Sequence, residues 1–176
     1  MPYRTGAERI LYDGPELRLS QLDVEFADGD RVSWDTVRLL RSISVALVDS
    51  SNRVLALHRR RLTGQRWGWE LPGSVIDDDE VPDQAAEREL AELTGYRAGR
   101  LTLACGLQPA PRNVDGEHLL YVGREPERRA QVDGTAGGAA PWDWLPLGSV
   151  PERVRTGQIW DSATLVALLG LLAGAW

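Results

Sequence analysis

Cysteine is nearly absent from this chain, which has one, Cys105, in 176 residues. No disulfide can close within it, so nothing in the sequence demands an oxidising compartment. Set in an apolar stretch, Cys105 reads as inert packing. Long apolar runs are absent too. The most apolar stretch, Leu165–Trp176, is too short to span a bilayer, and the opening Met1-Pro2-Tyr3-Arg4 lacks the apolar core of a signal peptide. No membrane partner is expected, and the expected location is the cytoplasm. Positive charge is in deficit, with 20 Lys+Arg against 26 Asp+Glu and a formal net charge of −6. A nucleic-acid surface normally shows a basic footprint, so no nucleic-acid partner is expected either. The two histidines, His58 and His118, lack the spacing of zinc ligands.

What is present suits one domain with an appended lobe. Leu17, Leu19, Leu22, Val24 and Phe26 alternate with polar residues, Asp28-Gly29-Asp30 follows, and Val32, Trp34 and Val37 resume the pattern. Asp-Gly between two alternating runs signals a hairpin, because Gly accepts the positive φ of such turns. Residues 1–40 are therefore predicted as an N-terminal antiparallel β lobe and 41–176 as a second domain. Within the latter, strands are predicted at Ile43–Asp49, Val54–Arg60, Leu101–Leu107, Leu119–Val122 and Trp142–Leu145, with loops over 61–68 and 131–140. Pro82 to Thr94 reads as a helix: Pro suits the first turn, Ala85, Ala86, Leu90 and Leu93 recur at helical spacing, and Gly95 stops it. Asp77, Asp78, Asp79 and Glu80 precede it, where negative charge suits the helix dipole. Asp161 is a candidate cap for a last helix over Ala163–Leu172. This mixture gives an α+β class.

The chemistry concentrates on the predicted helix. Glu89 and Glu92 stand three apart and face the same way, beside Arg88. Such hard oxygen donors suit Mg²⁺ or Mn²⁺, although the pair by itself also fits a plain solvated face. The longer pattern is more specific. Ser74, five residues, Glu80, seven residues, then Arg88-Glu89-Leu90-Ala91-Glu92-Leu93-Thr94-Gly95-Tyr96 resembles the signature of the Nudix hydrolases, which begins with Gly and carries paired glutamates. The lead-in Trp69-Glu70-Leu71-Pro72-Gly73 fits as well. The resemblance covers nearly the whole chain and points to the ADP-ribose pyrophosphatase-like branch. It implies an α/β/α sandwich with a mixed sheet beside the N-terminal β lobe.

On that resemblance, Glu89 and Glu92 are the metal-binding and catalytic candidates, with the carbonyl of Gly73 as a further ligand of weakly bound Mg²⁺ or Mn²⁺. Glu117 is a third catalytic candidate. Arg61, Arg41 and Trp34 are candidates for contacts to a substrate of the nucleoside diphosphate type, and Trp67 and Trp69 are further aromatics that could stack a base. Ser74, Glu80, Arg88 and Gly95 keep the motif's structure. A homodimer through the N-terminal lobe is also implied.

Three departures qualify the resemblance. Ser74 replaces the glycine and is expected to restrict a conformation only Gly takes freely. Leu93 replaces the second paired glutamate, a principal metal ligand in the family. No carboxylate stands in Gly137-Gly138-Ala139-Ala140-Pro141, ahead of Trp144. Two readings remain at this level: a hydrolase of a nucleoside diphosphate linked to another group, with weakened activity, or a catalytically inactive module that binds such a ligand in a regulatory role. The joint survival of Arg88, Glu89 and Glu92 favours the first.

Overall fold

A computed structural model describes residues 2–77, 79–130 and 141–176. Asp78 and the loop predicted over 131–140 lie outside the described residues. In chain order the elements are β1 (Tyr3–Asp13), β2 (Leu17–Phe26), β3 (Arg31–Leu39), β4 (Ser42–Leu47), β5 (Arg53–Arg61), β6 (Arg66–Glu70), β7 (Gly73–Val75), α1 (Pro82–Thr94), β8 (Tyr96–Leu107), β9 (Val114–Asp115), β10 (His118–Arg128), β11 (Trp142–Pro146), α2 (Val150–Arg155) and α3 (Ser162–Leu172). They fall into two compact units, Met1–Arg41 with Gln108–Glu117, and Ser42–Leu107 with His118–Trp176.

The first unit is a sheet of order β1-β2-β3-β9. Its central turn is the predicted one: Gly29 takes φ 89, and Phe26 N–H donates to the carbonyl of Asp30 at 2.9 Å. The alternation puts Leu22 opposite Trp34 and Val24 opposite Val32, so apolar side chains meet across the pair. The hairpin reading was too small. β1 pairs along β2, and β3 also pairs in parallel with β9. β1 is exposed over its whole length, so its sequence carries no buried face by which to foresee it.

In the second unit, β7-β4-β10-β8 form one sheet and β11-β5-β6 another. β4 and β10 run parallel and the remaining pairs antiparallel. Successive strand residues point to opposite faces, and both faces here are covered. Ile43, Val45, Leu47 and Leu55 pack with Ala85, Ala86 and Leu90 of α1. Ala46, Val48, Val54 and Ala56 pack with Ala163, Ala167 and Leu168 of α3. This is the expected α/β/α sandwich with a mixed sheet. Burial of a side chain such as Leu90 contributes about 1.5–3 kcal/mol.

α1 matches its predicted bounds because its signals are local. Pro82 opens it, and Gly95 closes it at φ 74 with its N–H on the carbonyl of Ala91 at 2.8 Å. Asp161 caps α3 by accepting from the N–H groups of Ala163 and Thr164, each at 3.1 Å. The loop predicted over 61–68 is corrected. Gly64 and Gln65 reverse the chain at φ 76 and 47, and β6 returns along β5, pairing Arg66 with Arg61 and Trp67 with Arg60. The polar composition of this hairpin reflects exposed strand ends, not missing strand structure.

Candidate functional site

α1 presents its charged residues around Arg88. The Nε and Nη2 of Arg88 each donate to an oxygen of Glu80 at 2.8 Å. Its Nη1 donates to Glu89 Oε1 at 2.5 Å and lies 3.5 Å from Glu92 Oε2. This bonding holds the Glu80 carboxyl below the usual carboxylate range and raises the pKa of Arg88. Glu89 is buried, whereas the Glu92 side chain is 63% exposed. One guanidinium thus fixes the acidic residue before the helix and a buried carboxylate on it.

The hairpin of β5 and β6 supplies a second charged group. Cross-strand register puts Arg59 opposite Gly68, Leu57 opposite Glu70, and His58 opposite Trp69. Arg59, Arg61 and Glu70 therefore share one face, and His58, Trp67 and Trp69 the other. On the first face, the Nε of Arg61 donates to both oxygens of Glu70 at 3.1 and 2.9 Å, and its Nη2 lies 2.7 Å from Oε2. Glu70 is buried. Arg59 is close by, its Nε 3.7 Å from Glu70 Oε2. On the second face, His58 stacks on Trp67 with centroids 5.0 Å apart and lies 4.7 Å from Trp69. Trp67 and Trp69 are thereby engaged away from Arg61.

The segment joining β6 to α1 is pinned on both sides. The N–H of Leu71 donates to Thr164 Oγ1 at 3.1 Å and the carbonyl of Pro72 accepts from Val45 at 2.8 Å. A Cβ on Gly73 would meet the carbonyl oxygen of Ile43 at 2.2 Å and Ser44 Oγ at 2.8 Å, so glycine is required there by backbone approach. Ser74 is a different matter, and the expectation of restricted backbone is corrected. It lies in β7 opposite Ile43 and is not among the positive-φ residues, so a side chain is tolerated. Next to this segment, His118 is bracketed by hydroxyls, Nδ1 2.7 Å from Ser42 Oγ and Nε2 3.0 Å from Ser44 Oγ. Burial pushes its pKa down, opposed by Asp161.

The structure thus brings Gly73, Ser74, Glu80, Arg88, Glu89, Glu92, Gly95 and Arg61 into the second unit, where α1 packs on β7. Trp34, Arg41 and Glu117 belong to the first unit. There Arg41 Nε donates to Glu117 at 2.9 Å, and Trp34 Nε1 donates to the carbonyl of Arg112 at 3.2 Å. Leu93 is half-buried. Among the described residues no group of three or more His, Cys, Asp or Glu side chains is gathered for a metal ion. Glu89 and Glu92 are hard oxygen donors of the kind that could take part in holding Mg²⁺, an ion that keeps several waters and accepts substrate phosphate oxygens.

Arg59 stands in the run Arg59-Arg60-Arg61, where the resemblance favours Arg61 as the phosphate-binding residue, and no sequence signal marks the burial of Glu70. In the sequence Glu70 belongs to the motif's lead-in, and its burial follows from register with Leu57, which composition does not show.

A family model described as NUDIX domain matches residues 38–167. The chain is 34% identical over 173 residues to a CMP-5'-(N-acetyl-N-hydroxy-3-aminopropyl)phosphonate hydrolase of Streptomyces rubellomurinus, covering 94% of this chain and 80% of that protein. It is 27% identical over 179 residues to an ADP-ribose pyrophosphatase of Mycobacterium tuberculosis, covering 97% and 82%. A crystal structure described as an ADP compounds hydrolase superposes with a TM-score of 0.85 at 16% identity, covering 98% of this chain and 94% of that one. At that identity the likeness shows the fold.

Proposed function

The chain belongs to the NUDIX domain family, and on that premise we propose that it hydrolyses a nucleoside diphosphate linked to a further group, ADP-ribose-like in layout. The observation that carries this reading is the Arg88 network. It ties Glu80, just before α1, to the buried Glu89 on α1, after the pinned Leu71–Gly73 segment. The relatives support the substrate class, since their names describe hydrolysis of a CMP phosphonate and of ADP-ribose.

In this reading Glu89 and Glu92, with the carbonyl of Gly73, would hold Mg²⁺ or Mn²⁺ weakly, because Leu93 withholds a third carboxylate. The ion would neutralise the diphosphate and ease attack of water on phosphorus. Arg88 keeps Glu89 oriented, and Arg61 pairs with phosphate oxygens by its guanidinium fork.

We further propose a cytoplasmic homodimer formed through the first unit. Its support is the exposed edge strand β1, with Ile10, Leu11 and Tyr12 each about half exposed, since an unpaired edge is a template for another chain. Among the described residues no helix is long and apolar enough to cross a membrane.

The test is a panel of ADP-ribose, a CDP-linked compound and related diphosphates with Mg²⁺ or Mn²⁺, reading nucleotide product and thermal shift together. Metal-dependent turnover is expected. Binding without turnover would make the chain a ligand-binding module instead.

A further inference from the structure

Three arginines of the second unit show the side-on edge of the guanidinium, Nε with Nη2, in different conditions. That edge of Arg88 is filled by Glu80. That of Arg61 is filled by Glu70. That of Arg59 is buried and meets no hydrogen-bond acceptor among the described residues. The Arg59 side chain is only 19% exposed, and a guanidinium cannot shed its proton to escape the mismatch. Three carboxylates act on it through space: Glu70, Glu89 and Asp161. Each is already engaged, Glu70 by Arg61, Glu89 by Arg88, and Asp161 by the first N–H groups of α3. Burial and the charge of Arg61 push the pKa of Arg59 down, against the pull of these carboxylates. A buried cation with an unfilled fork is costly unless an acceptor comes to it.

Glu70 Oε2 is such an acceptor, 3.7 Å from Arg59 Nε, just beyond hydrogen-bond length. Its present partner, Arg61, is 48% exposed at the end of β5. We propose that Arg59 is the reserve partner of Glu70: it takes over this buried carboxylate when Arg61 turns to a diphosphate ligand. The inference rests on the hydrolase reading above and deepens it. Without Arg59, releasing Arg61 would strand a buried carboxylate, which is strongly unfavourable. With it, Glu70 exchanges one fork for another, and Arg61 is freed for the ligand. Arg59 is then a positioning residue that tunes ligand affinity without touching ligand.

The experiment is a double-mutant cycle on the full chain with Arg59→Met, Arg61→Met and both. The probe is α,β-methylene-ADP with Mg²⁺, titrated by calorimetry, and the turnover panel is run on the same wild-type protein. Arg59→Met is expected to weaken binding by about 10- to 100-fold while leaving the melting temperature of the ligand-free protein unchanged or higher. In the Arg61→Met background the same change is expected to do little, because no exchange remains to be supported. Additive losses would make Arg59 an independent contact and overturn the proposal. So would unchanged affinity in Arg59→Met, or failure of that variant to fold, which would make Arg59 a structural partner of Glu70. Arg59→Lys keeps the charge without the fork and is expected to lose most of the affinity; full retention would contradict the exchange. Turnover by wild type with no effect of Arg59→Met would sink this inference alone. Absence of both binding and turnover in wild type would sink it together with the hydrolase reading.

Discussion

Arg88 grips Glu80 with a side-on fork, Nε and Nη2 each 2.8 Å from a carboxylate oxygen, and the remaining Nη1 steers Glu89. Lys cannot reproduce this, since an ammonium lacks the planar fork. Arg88→Lys is therefore expected to fold, to melt lower, and to lose about 10²-fold in turnover through misplacement of Glu89. Because the Glu80 pKa is depressed in the fold, this fork stabilises fully above the ordinary Glu value of 4.5 and fades as pH falls through the folded value. Glu80→Gln should lose that acid-side slope in a pH series of melts.

Gly73 and Ser74 make opposite demands. Gly73→Ala drives a Cβ into the carbonyl of Ile43 and should destabilise by about 1–3 kcal/mol or more. Ser74→Gly relieves no strain, since Ser74 has ordinary strand backbone, and is expected to cost about 0.5–1 kcal/mol. Chemical denaturation of the two variants checks both signs; a stabilised Ser74→Gly would show that the glycine position is under strain after all.

Leu93 stands one turn after Glu89 on the same helix face, half-buried and outside both core clusters. Leu93→Glu should fold and bind Mg²⁺ about tenfold tighter, equivalent to ~1.4 kcal/mol. Isothermal titration with Mg²⁺ measures it, and unchanged affinity in a folded variant would remove position 93 from the ion's surroundings.

His118 sits between Ser42 and Ser44 with a depressed pKa. As pH falls below its ordinary value of 6.5, the unfolded chain takes up a proton that the folded chain refuses. Stability should then decline with falling pH, by at most about 1.4 kcal/mol per pH unit, and level off once the folded value is passed. His118→Gln should flatten this part of the profile; an unchanged slope would place its origin elsewhere.

How much of this was legible beforehand depended on whether the determinants are local. The bounds of α1 are written in Pro82, the apolar spacing and Gly95, all within one element. The resemblance implies that Glu80 and Arg88 keep the motif's structure, and in the fold the two form one ion pair. β6 was missed because its partner, not its composition, makes it a strand. The meeting of Arg59, Arg61 and Glu70 depends on the register that sets Arg61 against Arg66, which no single segment encodes. Ser74 was misjudged because a residue type was taken for a backbone conformation.

A metal-dependent hydrolase built on the buried Glu89 needs both the ion and that carboxylate for turnover. The most direct measurement is the rate of nucleotide release from ADP-ribose, with and without Mg²⁺, for wild type and Glu89→Gln at matched folded fraction. Turnover that requires Mg²⁺ and falls by about 10²–10⁴ in Glu89→Gln is the predicted result. Turnover indifferent to Glu89→Gln, or ADP-ribose bound by wild type and left intact with Mg²⁺ present, would contradict it.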